Sequence, residues 1–83
     1  MIQRKRWKSL LQAVKDYRDH PAAFEDKGLL MEDVYAKYGL SVGSQGYIGH
    51  GIALYDNDDY LEDACQSTFD RIIALLTIFL PYP

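Results

Sequence analysis

The sequence predicts a mainly α fold: one small domain over residues 1–83, with long first and last helices, a short central helix and a glycine-rich loop with room for a small β-hairpin. Three observations predict it. Apolar residues recur at helical spacing in three separate stretches. Five of the six glycines are gathered between residues 39 and 51. Proline follows the first and last periodic stretches, where it stops a helix by forcing the preceding residue out of the α region.

In the first stretch, residues 3–19, Trp7, Leu10, Leu11, Val14 and Tyr17 form one helical face, with Lys5, Lys8, Gln12, Lys15 and Asp16 on the other. His20-Pro21 ends it, and Pro21 suits the first position of a short helical turn running to Lys27. The segment Leu29 to Tyr38 predicts a second amphipathic helix, with Leu30, Val34 and Tyr38 on one stripe and Gly39 as its left-handed cap. Residues 39–51 break the pattern. Each glycine inside a helix costs about 0.8–1 kcal/mol relative to alanine, so a loop is expected here, with Tyr47-Ile48 and Ile52 to Tyr55 as its strand pieces. The last helix is expected from about residue 58 to 80, with Asp56 or Asp58 as N-cap and Leu61, Cys65, Thr68, Phe69, Ile72, Leu76 and Phe79 on its apolar stripe.

A chain of 83 residues removes only about 60–65% of its unfolded surface from water, so its core needs support. One cysteine forms no internal disulfide, and one cysteine with two distant histidines is no metal-ligand set. Self-association remains. Residues 72–80 carry large apolar side chains all round the helix, which predicts a homodimer through Ile73, Leu76, Phe79 and Leu80. No apolar run reaches the 20 or so residues of a membrane span, and the basic N-terminal stretch lacks the apolar region of a secretory signal. The chain is expected to be cytoplasmic, with no membrane partner.

The net charge of −3 hides a division. Residues 1–15 hold five basic residues and no acid, whereas residues 38–70 hold no Lys or Arg and a formal charge of −6. Tyr55 and Tyr60 bracket Asp56, Asp58 and Asp59, with Glu62 and Asp63 just beyond. Tyrosine offers contact area at low entropic cost, so these seven residues form the candidate partner-binding site, aimed at a basic protein. Arg4, Lys5, Arg6 and Lys8, interleaved with Trp7, are the candidate nucleic-acid contacts, although the acidic balance argues against such a partner.

Catalytic and cofactor motifs fail on inspection. His50 lies between two glycines with no nucleophile beside it, and the acids around Cys65 oppose a reactive thiolate. A calcium loop starting at Asp56 would need glycine at its sixth position and glutamate at its twelfth, where Leu61 and Ser67 stand. The glycine run fits no phosphate-binding pattern. Glu32 to Ser41 resembles the first helix and turn of a helix-turn-helix, but the following segment, glycine-rich and without a cation, cannot read DNA. No enzyme activity and no cofactor are expected. The function expected is that of a small acidic inhibitor, of the immunity-protein, antitoxin or phage anti-defence type, blocking a basic nucleic-acid-handling partner. The alternative is a nucleic-acid-associated regulator using the basic N-terminal helix.

Overall fold

The structure, a computed structural model, describes residues 4–26 and 28–79, and for Ile78 and Phe79 the backbone only. Among the described residues four α-helices follow one another: α1 (Arg4–Asp19), α2 (Met31–Lys37), α3 (Val42–Gly46) and α4 (Cys65–Phe79), with short 3-10 turns at Pro21–Ala23 and Asp59–Glu62. The mainly α expectation holds.

The long helices α1 and α4 pack together because each has one apolar face. Leu10 and Val14 of α1 meet Phe69 and Ile72 of α4 in a core completed by Met31, Val34 and Tyr35 of α2. Tyr17, Phe24 and Phe69 close one side of this core, with ring centroids 5.1–5.8 Å apart. The Asp33 carboxylate caps α2 by accepting from the Leu30 amide at 3.2 Å. At the other end Gly39 takes φ +65°, and Leu40 N donates back to Tyr35 O at 3.1 Å, closing the helix as expected.

Two expectations fail here. The glycine-rich run is helical rather than a loop or hairpin. Ser41 Oγ accepts from Ser44 N to start α3, which widens into a π turn over Tyr47–Ile52, where Ala53 N reaches Ile48 O at 2.8 Å. Burial of Ile48 and Gly49 against the core offsets the cost of the glycines. The only strand-like pairing among the described residues is one antiparallel bridge, Leu30 to Ala64.

That bridge explains the second failure. Met31 N donates to Asp63 O and Cys65 N to Leu29 O, both at 2.9 Å. These bonds hold Asp63 extended, at φ −97° and ψ 161°, so α4 starts at Cys65 instead of residue 58.

Part of the apolar end of α4 packs within the chain. Ile72 is buried, and Ile73 and Leu76 pack against the core as partly buried residues. Of the expected dimer contacts, Leu80 and the Phe79 side chain lie outside the described residues. No helix among the described residues is long and apolar enough to cross a membrane.

Candidate functional site

Behind the π turn, Tyr35 and Tyr60 meet edge to face and share a hydrogen bond between their hydroxyls, at 2.9 Å. One phenol donates to the other, and Gln45 O lies 3.5 Å from both. Burial, then the mutual hydrogen bond, pushes the Tyr35 phenol far above its ordinary range, and burial likewise raises Tyr60. Both therefore stay neutral and serve as structure. Gly49 is required here: a Cβ would overlap the Oη and Cζ of Tyr60.

A three-layer stack rises from this pair. The Tyr55 ring lies parallel to Tyr60, with centroids 4.4 Å apart and planes 5° from parallel. The Arg71 guanidinium covers the other face of Tyr55, its Cζ 4.0 Å from the ring centroid. Arg71 Nη1 also donates to Ala53 O at 3.0 Å, while Tyr55 Oη and the buried Thr68 Oγ1 are 3.1 Å apart. Tyr55 N donates to Gly49 O at 2.9 Å. Residues 53–55 are thus held from both sides by backbone and side-chain bonds.

His50 clasps the far end of the same loop. Its Nδ1 faces Tyr55 O and its Nε2 faces Asp58 Oδ1, each at 2.8 Å. A carbonyl and a carboxylate only accept, so both bonds form together when the ring carries two protons. The Tyr55 carbonyl, then the Asp58 carboxylate, hold the imidazole above its ordinary pKa. Asn57 Oδ1 accepts from Asp59 N at 2.9 Å and tightens the turn.

The loop so fixed displays an apolar side chain at a strained position. Leu54 has φ +63°, a left-handed conformation that L residues with a Cβ avoid, and it is 64% exposed. With it, Ile52, Ala53, Arg71, Ala74 and Leu75 line a shallow groove of about 250 Å³. Leu54 is thus strained and exposed together, at a position clamped on both sides.

The residues expected at the binding site are divided by the structure. Asp56, Asp58, Asp59, Glu62 and Asp63 are exposed and Tyr55 is partly so, but Tyr60 is only 3% exposed and belongs to the core. Arg4, Lys5, Arg6 and Lys8 are exposed on the first two turns of α1, with Arg6 Nη1 bound to Gly39 O at 2.6 Å. Sequence reasoning gave Arg71 and Leu54 no place at the site, and it put Thr68 only on the apolar stripe of the last helix. The one available signal was Arg71 itself, the first cation after a long stretch without any. Cys65 is buried, and burial raises its thiol pKa. Among the described residues no three His, Cys, Asp or Glu converge to hold a metal ion. The arrangement is a surface loop held by stacked rings, a guanidinium and an imidazole clasp.

Comparison with known proteins fixes the class. Residues 1–80 match the family described as GDP dissociation inhibitor. A probable secretory pathway GDP dissociation inhibitor of Schizosaccharomyces pombe is 38% identical over 77 residues, which cover 88% of this chain and 18% of that protein. The Rab GDP-dissociation inhibitor of Saccharomyces cerevisiae is 33% identical over 78 residues, 88% of this chain and 17% of that protein. The chain belongs to the GDP dissociation inhibitor family, and it spans under a fifth of the length of these curated relatives.

Membership in this regulatory family corrects the functional expectation. The chain is not an immunity protein, an antitoxin or a phage anti-defence protein, and the nucleic-acid regulator falls with them. The expected partners fall too. A family defined by inhibiting GDP dissociation does not point to a basic nucleic-acid-handling protein, nor to a homodimer. The acidic run 56–63 misled because charge alone was used to choose the partner. Part of that run serves internal ends: the Asp58 carboxylate binds His50, and the backbone carbonyl of Asp63 anchors α2.

Proposed function

We propose that this chain acts as a contact segment in inhibiting GDP dissociation from a Rab-type GTPase, by binding and without catalysis. The observation that carries the reading is the family match over residues 1–80, with a relative named for Rab. The contact surface we assign is the clamped loop: Leu54, Tyr55, Asp56, Asp58 and Asp59, with Glu62 and Asp63 at its margin. Rigid presentation supports it, because a loop already ordered loses little entropy on binding. Residues 1–83 fold as one unit in this reading, and the chain works in the cytoplasm, where GDP-loaded GTPases are found.

The test is release of a fluorescent GDP analogue from a Rab GTPase, with the chain in excess. Slower release, relieved by Leu54→Ser together with Asp56→Asn, is the expected result. Unchanged release with no detectable binding at tens of micromolar would refute the assignment.

A further inference from the structure

The first turns of α1 hold a second surface, distinct from the Tyr55 loop. No acid stands in the first turn of this helix, while Arg4, Lys5 and Arg6 do, and Lys8 follows in the second. Cations at a helix N-terminus oppose the macrodipole, so the helix gains nothing from this placement. Arg6 is used internally, on Gly39 O. Arg4, Lys5 and Lys8 are exposed, and no described carboxylate forms an ion pair with them.

Aromatic and apolar side chains sit among these charges. Arg4, Trp7, Lys8 and Leu11 recur at spacings of three, one and three along the border between the apolar and the charged face of α1. Trp7 is partly buried against the core, and its ring meets Tyr47 edge-on, with centroids 6.5 Å apart. Tyr47 is 52% exposed.

We propose that this surface docks on an anionic lipid bilayer, with Trp7 and Tyr47 at headgroup depth and Arg4, Lys5 and Lys8 against the lipid phosphates. Tryptophan and tyrosine favour that depth because one side of each ring is apolar and one edge polar. Lysine and arginine stems reach along an apolar surface while their charged ends stay wet. An acidic protein fits less well. A stable protein interface needs about 1,000 Å² of matched surface, and this patch is one helix end with one aromatic pair. Flexible cations around a small apolar wedge suit a partner whose charges are themselves mobile. The proposal does not rest on the GTPase reading, and its test contains no GTPase.

Trp7 is the chain's single tryptophan, so its fluorescence reports this site alone. The chain is mixed at about 50 mM salt with vesicles of phosphatidylcholine, with or without 30% phosphatidylserine, carrying brominated acyl chains. Co-sedimentation and quenching of Trp7 are expected with the anionic vesicles, at an affinity roughly ten- to a hundred-fold above that for neutral ones. Binding should weaken as salt rises. The triple variant Arg4→Gln, Lys5→Gln, Lys8→Gln should lose most of that preference with its circular dichroism unchanged. Absence of binding, or binding that survives in the triple variant, would overturn the proposal. So would a Trp7 response to soluble polyglutamate with none to vesicles, which would identify an acidic protein as the occupant.

Discussion

Replacing Gly49 by alanine tests the packing on which the Tyr55 loop depends. Inside a helix the change alone favours alanine by about 1 kcal/mol. At this position the new Cβ meets the Oη, Cζ and Cε1 atoms of Tyr60. Tyr60 has no free direction, because it is buried, stacked on Tyr55 and hydrogen-bonded to Tyr35. Overpacking of this kind costs about 1–3 kcal/mol, and loss of the phenol pair adds about 0.5–1.5 kcal/mol. The net expectation is destabilisation by about 1–3 kcal/mol, a fall in Tm of about 5–20 °C for a chain of this size. Gly46 is the control. It also lies in the helical run, at φ −62°, and a Cβ there meets nothing within 4 Å. Gly46→Ala should therefore raise stability by about 0.4–1 kcal/mol. Thermal unfolding followed by circular dichroism measures both. If Gly49→Ala melts at or above the temperature of Gly46→Ala, the close approach of Tyr60 to the π turn is wrong.

Three further changes probe the loop itself. Leu54→Gly removes the left-handed strain and should stabilise by about 0.5–1 kcal/mol in urea unfolding, less than the full steric term because glycine frees the unfolded chain; a loss of stability would mean that φ +63° is not held in solution. Arg71→Met should cost about 1–2 kcal/mol, through the Ala53 carbonyl and the Tyr55 face together, and an unchanged urea midpoint would dismiss the three-layer stack. His50 has its pKa raised in the fold, so its contribution is complete below the unfolded value and disappears as pH rises through the folded one. His50→Gln should therefore lower the urea midpoint most near pH 5.5 and least near pH 8.5, and a gap that does not vary with pH would show the clasp to be unprotonated throughout.

The elements that were legible share one property: their apolar residues repeat over several turns. Leu10, Val14, Phe69 and Ile72 declared two packed helices, and Gly39 declared a left-handed cap. The glycine run misread because local propensity was the only signal available, whereas the gain comes from Tyr60, eleven residues further on, filling the space above Gly49. The start of α4 shifted for a similar reason, since the hydrogen bonds that keep Asp63 extended are made to Leu29 and Met31. At the candidate site, Tyr55 and the aspartates were visible as a pattern, but their roles were not. Tyr60 and Asp58 proved to hold the loop through Tyr35 and His50. No pattern in the sequence announces that Leu54 takes a positive φ, because that conformation is imposed by the bonds on either side of it.

The assignment of the Tyr55 loop as the contact surface is tested most directly by an NMR titration of the isotope-labelled chain with a GDP-loaded Rab GTPase. Amide shifts should concentrate at residues 54–59 and along the neighbouring groove at Ile52, Ala74 and Leu75, with α1 unmoved. Shifts confined to other residues while 54–59 stay in place, or none at all, would contradict it.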